Sequence, residues 1–247
     1  MSKDISDFIS KLDKLNDSGE VEVYIPSKNT TVPVKPFNLK QQKDIISSTL
    51  DGVKGSLDFT HTINTIILDN SGITDLKTYD KIPFCVTMRV DALGTRFNVD
   101  DTDIDLQEVL NNISKVPFNL KDEEVVKHEN LKITLRVPTL EEESKLLATH
   151  SQEIKPNTNE LKDHISTLYL LEILKHIKSL QIDDDTIDMS KIRTSEKIKL
   201  IEKLPLNVYT HISKFIQKIS DYEIKILTVN DVTVPINPLF FDSVIDE

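Results

Sequence analysis

A run of closely spaced aspartates is the part of this sequence that most resembles a metal-binding motif. Asp101, Asp103 and Asp105 have the spacing of the first three ligands of a calcium-binding loop. Leu106 stands where such a loop needs glycine, and Asn112 stands where it needs a bidentate glutamate. We therefore interpret this run as a solvated acidic loop and predict neither a metal site nor another cofactor.

The other reactive side chains form no recognisable catalytic motif. A second acidic run at 183–188 lacks the same ligands, and the six histidines include no H-E-x-x-H pair. The sequence contains no G-x-S-x-G, and the single Cys85 lies beside Phe84 and Val86, where a buried and unreactive thiol is favoured. We predict that the protein is not an enzyme. An acidic hydrolase is a distant alternative, which a pocket holding two titratable groups of strongly shifted pKa would favour.

Composition narrows the class of protein and its partners. The chain has 247 residues, 38% of them hydrophobic, which suffices for one large or two small cores. A net charge of -11 disfavours binding to nucleic acid or to anionic membranes. One cysteine, no signal-like N-terminus and no long apolar run predict a soluble protein made in the cytoplasm.

The first eighteen residues have the pattern of a short amphipathic helix. Apolar side chains recur at helical spacing, with Asp and Lys on the other face. Either this helix covers its own domain, or it docks into the groove of a partner. The candidate partner-binding residues on it are Ile5, Phe8, Ile9, Leu12 and Leu15.

Two similar stretches, T-V-P-V-K-P-F and T-V-P-I-N-P-L-F-F, lie near the two ends of the chain. Each follows a hairpin pattern, the second turning at Asn230-Asp231, and each proline indicates a sheet edge because it cannot donate to a ladder. Phe37, Phe240 and Phe241 should bury their rings as anchors. If Phe240 and Phe241 are instead exposed in the isolated chain, we interpret them as the contact that docks a C-terminal arm onto a neighbouring protein.

Between the two hairpins the pattern is mostly helical. Asn38 with Gln41 and Thr139 with Glu142 resemble capping boxes, and a helix is predicted from about Asp80 to Gly94. Residues 131–138 alternate as a strand, and 139–221 are predicted to be mostly helical. The fold class is therefore α+β, with terminal β-hairpins on small antiparallel sheets and a mostly helical body. The predicted domains are the helix 1–18, an α+β domain 19–138, a helical region 139–221, and a hairpin with an extended arm 222–247.

In this order the segments resemble the baseplate hub assembly proteins of T4-like contractile-tailed phages. The segments that carry the resemblance run from about Val21 to Ser243, namely V-P-V-K-P-F-N-L-K-Q-Q-K-D-I, I-N-T-I-I-L-D-N, L-K-T-Y-D-K-I-P-F-C-V-T-M-R-V-D-A-L-G, L-K-I-T-L-R-V-P-T-L-E-E-E and T-V-N-D-V-T-V-P-I-N-P-L-F-F-D-S. An Asp-to-Arg spacing typical of the family matches Asp80 and Arg89 with one extra residue between them.

The resemblance implies a structural or assembly role in building the phage baseplate hub, inside the host cytoplasm during assembly and then in the virion tail. Its partners would be other baseplate or tail proteins, with several copies of the chain in each baseplate. The alternative is a tail assembly chaperone that is absent from the mature virion.

Overall fold

The structure of the protein is a computed structural model, which describes residues 3–48, 53–119, 121–153 and 161–242. The described part contains these α-helices: α1 Lys3–Ser18, α2 Leu39–Ser47, α3 Val53–Ser71, α4 Lys81–Leu93, α5 Leu106–Lys115, α6 Leu140–Glu153, α7 Leu161–His176, α8 Thr194–Ile201 and α9 Leu206–Leu227. It also contains these strands: β1 Val21–Ile25, β2 Thr30–Val34, β3 Arg96–Val99, β4 Thr102–Asp105, β5 Glu123–His128, β6 Leu131–Arg136, β7 Ile177–Ile182, β8 Asp185–Asp188, β9 Thr228–Val229 and β10 Val232–Thr233.

The strands form small antiparallel sheets, as the predicted α+β class requires. Three are two-stranded hairpins, β1-β2, β3-β4 and β9-β10, and the fourth has the order β5-β6-β7-β8. The first and last hairpins lie near the two ends of the chain, which confirms the predicted arrangement. Both predicted capping boxes form, with Asn38 and Gln41 at the start of α2 and Thr139 and Glu142 at the start of α6.

Asparagine and aspartate make most of the tight turns in this chain, which has only five glycines. Asp100 and Asp101 join β3 to β4 with φ values of 45° and 63°, and Asn230 and Asp231 join β9 to β10 with 49° and 66°. These short polar side chains tolerate the left-handed conformation that two-residue hairpin turns need. The first acidic run therefore begins in the β3-β4 turn and continues along β4, and the second begins in the β7-β8 turn and continues along β8.

The sequence prediction was wrong about part of the region 139–221, which contains β7 and β8. Leu174, Ile177 and Leu180 continue the spacing of the preceding helix, so the pattern alone predicts helix through this point. In the structure α7 ends at His176 and β7 pairs with β6, Ile133 lying opposite Leu180. Pairing with a distant strand thus overrides a local pattern that fits both structures.

The C-terminal hairpin is shorter than predicted, because Tyr222–Leu227 is the end of α9 and not a strand. Tyr222, Ile224 and Ile226 alternate like a strand, but Tyr222 and Ile226 are buried whereas Ile224 is 48% exposed. A strand would bury all three residues on one face, whereas a helix buries the two that are four positions apart and exposes the one between them. The second strand likewise ends at Thr233, so Pro235 lies beyond the ladder.

Helix α4 is buried along most of its length and carries a buried charged residue near each end. At its start, Asp80 accepts hydrogen bonds from the backbone N–H of Ser27 (2.9 Å), the Ser27 hydroxyl (2.6 Å) and the backbone N–H of Lys77 (2.7 Å). Near its end, Arg89 donates to the carbonyl oxygens of Gly94 (2.9 Å) and Arg96 (3.1 Å). Asp80 therefore holds the hairpin β1-β2 at one end of α4, and Arg89 holds the hairpin β3-β4 at the other end.

We expect Asp80→Ala to lower the free energy of unfolding by about 2–4 kcal/mol, because three donors lose their acceptor in a buried site. Chemical denaturation measures the effect. The matched control is Asp75→Ala, since Asp75 pairs with Lys28 of the same hairpin but is 70% exposed. That change should cost less than about 1 kcal/mol. Equal losses in the two variants would show that the Ser27 contacts do not anchor the hairpin.

Candidate functional site

The apolar face of α1 is exposed to solvent. Ile5, Phe8, Ile9 and Leu12 are 52%, 63%, 40% and 44% exposed. The predicted residue Leu15 belongs to the same helix, and its side chain lies outside the described part of the structure. The helix prediction is confirmed, and an exposed apolar row of this kind is a feature of surfaces that bind partners. Its role in docking stays a prediction.

The two phenylalanines at the C-terminal end lie in the core of the isolated chain. A short 3-10 helix, Pro238–Phe241, places Phe240 and Phe241 at 0% and 2% exposure. The Phe241 ring lies 5.6 Å from the ring of Phe37, and the Phe240 ring lies 5.1 Å from the ring of Phe97. They are the predicted anchors, and this burial corrects the hypothesis that they form an exposed docking arm. The physical reason is that these aromatic partners remove the rings from water.

A buried carboxylate joins four helices in the middle of the molecule. Glu143 of α6 is 4% exposed and accepts hydrogen bonds from Lys81 of α4 (2.7 Å), Lys175 of α7 (2.9 Å) and Asn64 of α3 (2.8 Å). Lys175 also contacts Glu172, with 2.6 Å between the ammonium nitrogen and a carboxylate oxygen. The result is a network of alternating charges that holds the helices in register.

The pKa values of the network follow from burial and pairing. Burial is the largest influence on Glu143 and raises its pKa, but Lys81 and Lys175 together outweigh it and hold the pKa well below the usual range. Burial also raises the pKa of Glu172, but the hydrogen bond with His176 and the charge of Lys175 outweigh it and lower the pKa to about 2. Glu223 of α9 differs, because burial raises its pKa to about 7 and the two lysines only partly oppose this.

These groups line an open cavity of about 760 Å³ between α3, α4, α6, α7 and α9. The rest of the wall is largely apolar, and its members include Ile63, Leu147, Leu168, Leu171, Ile216 and Ile219. A cavity of this size with a few convergent polar groups is the usual form of a small binding site. It is the candidate functional site that the described residues offer.

Sequence reasoning missed this site, although a signal for it was present. Lys175 lies four residues after Leu171 on the apolar stripe of α7, and Glu223 lies four residues after Ile219 on that of α9. A charged residue at a core position of a helix must find a partner or a cavity. Glu143 lies three residues after Leu140 and four before Leu147 on the apolar side of α6, but it stands within a run of three glutamates.

The cysteine and two of the histidines, whose side chains could have been reactive, make structural contacts in the part of the chain that the structure describes. Cys85 is fully buried, and burial raises the pKa of its thiol to about 12, as expected for an unreactive cysteine. His61 Nδ1 lies 2.6 Å from the Ser144 hydroxyl, and the His176 ring contacts the Arg136 carbonyl oxygen and Glu172. None of the helices in this part of the chain has the length and apolar character that crossing a membrane requires.

Comparison with models of protein families places residues 19–233 in the family described as T4 bacteriophage base plate protein. The match includes every described element from β1 to β10 and begins directly after α1. No curated protein and no solved structure matches the chain.

We expect Phe240→Ala and Phe241→Ala each to lower the free energy of unfolding by about 3–5 kcal/mol, the usual effect of removing a buried aromatic ring. Leu239→Ala is the matched control, since Leu239 lies in the same turn and is 70% exposed. It should change stability by less than about 0.5 kcal/mol. Thermal unfolding distinguishes the outcomes. If both phenylalanine variants keep the melting temperature of the unaltered protein, the rings are not core residues.

We expect Glu143→Gln to cost about 3–5 kcal/mol near neutral pH, because it leaves Lys81 and Lys175 without their shared counter-charge. Glu141→Gln on the same helix removes a surface pair with Lys145 and should cost less than about 1 kcal/mol.

The effect of Glu143→Gln depends on pH. The pKa of Glu143 is lower in the folded chain than its ordinary value of 4.5, so the unfolded chain binds the proton more readily. The stability that Glu143 contributes is therefore present above about pH 4.5 and is lost as the pH falls towards the folded value. Denaturation curves of the unaltered protein and the variant should converge as the pH falls below 4.5. A gap that does not change with pH would contradict this account.

Proposed function

The chain belongs to the family of T4 bacteriophage base plate proteins, and from this premise we propose that it is a non-enzymatic protein that helps to build the baseplate hub of a contractile phage tail. The observation that carries the proposal is the family match, which extends over residues 19–233. The chain would act in the host cytoplasm during assembly and remain in the tail, in contact with other baseplate proteins.

The surface properties of the chain support a role in assembly. A net charge of -11 suits a partner with a basic patch, because complementary charge speeds and orients association. The exposed face of α1 supplies the apolar contact that such an interface needs at its centre. We propose that Ile5, Phe8, Ile9, Leu12 and Leu15 dock onto a neighbouring baseplate protein. Helix 1–18 then acts as a unit distinct from the domain that follows it.

A chaperone that leaves before maturation is the second candidate. It would use the same α1 face for a reversible contact with its client, so the two roles differ in fate and not in fold. Quantitative mass spectrometry of purified virions and of tail assembly intermediates separates them. We expect the protein at stoichiometric amount in both samples. Its presence in the intermediates alone would favour the chaperone.

A hydrolase is the third candidate, and one observation favours it. Glu172 and Glu223 line the same cavity with pKa values shifted in opposite directions, to about 2 and about 7, which is a feature of acid–base pairs. The carboxylate of Glu172 is, however, paired with Lys175, and this ion pair makes it a poor nucleophile or general base. Activity lost in Glu223→Gln, in an assay of purified protein on glycan and peptide substrates, would favour the enzyme.

Deleting residues 1–18 should block incorporation of the protein into tail intermediates without abolishing cooperative unfolding. The physical reason is that the described apolar side chains of α1, which are Ile5, Phe8, Ile9 and Leu12, are exposed to solvent. Complementation of a phage lacking the gene, with immunodetection of the intermediates, measures the first effect. Calorimetry measures the second.

A point variant provides a finer test of the same face. Phe8→Glu should reproduce the assembly defect and change stability by less than about 0.5 kcal/mol, whereas Asp7→Ala on the polar side should assemble normally. If the deletion abolishes cooperative unfolding, α1 is part of the core and is not a docking helix.

A further inference from the structure

Glu223 differs from the other charged groups of the cavity because no residue that the structure describes pairs with it. Lys81 and Lys175 are bound to Glu143, and Lys175 is also bound to Glu172. His176 directs one ring nitrogen at the Arg136 carbonyl oxygen, 3.2 Å away, and the other at Glu172, 3.4 Å away. Among the residues that the structure describes, Glu223 forms no hydrogen bond and no ion pair, although it lines the cavity.

An unpaired carboxylate against an apolar wall is costly, so its presence needs an explanation. Both lysines face Glu223 but are already neutralised by Glu143 and Glu172, and burial therefore keeps the pKa of Glu223 near 7. A cationic group that enters the cavity would remove this cost by supplying the missing counter-charge. An anionic ligand would instead add to an excess of negative charge, because three carboxylates and two lysines line the cavity when Glu223 is ionised.

The shape of the cavity defines the rest of the ligand. Apolar side chains such as Leu168, Leu171 and Ile216 line the same cavity as Glu223. This wall suits a flexible hydrocarbon stem, and the carboxylate suits the compact ammonium group at its end. The volume of about 760 Å³ leaves room for the ammonium group and its stem, together with part of the polypeptide that carries them.

We propose that this cavity binds an aliphatic ammonium group, in the form of a lysine side chain presented by a neighbouring protein of the baseplate, with Glu223 as the pairing carboxylate. The identity of the occupant rests on the proposed function. The preference for an alkylammonium group rests only on the cavity.

The proposal predicts that binding depends on pH. The charged groups that face Glu223 are Lys81 from α4, Glu143 from α6, and Glu172 and Lys175 from α7, and the imidazole of His176 lines the same cavity. Only the ionised form of Glu223 attracts a cation. Binding should therefore be strong at about pH 8 and weaken as the pH falls through about 7, where Glu223 takes up a proton.

Binding of small probes tests the site directly. Hexylammonium, hexanol and hexanoate share one hydrocarbon stem and differ in the charge of the head group. Each is titrated into the full-length protein and followed by NMR of the isoleucine and leucine methyl groups of the cavity wall. At about pH 8 we expect hexylammonium to bind about tenfold or more tightly than the other two, the size of effect that one charge-assisted contact gives.

Variants assign the preference to Glu223. Glu223→Gln should bind hexylammonium no better than hexanol, whereas Glu202→Gln, which changes an exposed glutamate of the neighbouring region, should behave like the unaltered protein. Equal affinity for the three probes, or a preference that survives Glu223→Gln, would overturn the proposal.

Stability supplies a readout that needs no ligand. The folded chain raises the pKa of Glu223 above its ordinary value of 4.5, so the unfavourable contribution of Glu223 grows as the pH rises from 4.5 and is complete above about 7. Glu223→Gln should therefore melt at a higher temperature than the unaltered protein at about pH 8, and the difference should shrink towards pH 4.5. A variant that is less stable at pH 8 would show that Glu223 has a partner and would contradict the proposal.

The outcomes also separate this site from the proposed function. Loss of the ammonium preference removes the site and leaves the family membership and the virion measurement unaffected. Absence of the protein from baseplates removes the proposed function, while selective binding of hexylammonium would still establish the site.

Discussion

The packing of the helical body depends on one buried carboxylate. Glu143 is the common acceptor of groups from α3, α4 and α7, so four helices including its own meet at one side chain. Burying this charge is unfavourable by itself, and the two lysines offset the cost only if their helices keep their positions. The network therefore favours positions of these helices that keep both lysines within reach of Glu143.

Helix α4 connects the Glu143 network to two of the hairpins through hydrogen bonds at its two ends. Lys81 of its first turn binds Glu143, and Asp80 directly before it holds the tip of β1-β2 through Ser27. Arg89 near its other end holds the start of β3-β4 through the carbonyl oxygens of Gly94 and Arg96. Asp80 and Arg89 thus attach two of the small sheets, β1-β2 and β3-β4, to the helical body.

Stability and binding make opposite demands on the cavity. Filling it with apolar side chains and replacing Glu223 by a neutral residue would remove an unpaired carboxylate from an apolar wall. Features that lower the stability of the isolated chain, such as this carboxylate, are typical of places where a protein binds something else. The apolar side chains that α1 exposes to water are a second feature of this kind. The two surfaces together suit a protein that completes its contacts within a larger assembly.

The sequence by itself determined the features that depend on near neighbours. The capping boxes at Asn38 and Thr139, the turn at Asn230-Asp231 and the amphipathic α1 each need only a few consecutive residues, and all are present in the structure. The α+β class and the family resemblance follow from the order of such segments. For the same reason most helices, but not all of their ends, could be predicted.

Only the tertiary structure decided the rest. Whether Ile177–Ile182 forms a strand depended on pairing with β6, and whether Tyr222–Leu227 is helical depended on which side the core covers. The sequence shows charged residues on the apolar stripes of α7 and α9, but it could not show which groups meet. Lys81, Glu143, Lys175 and Glu223 lie far apart in the chain and come together only through helix packing. Their pKa values and their pairing come from burial and from distances that exist only after the helices have packed.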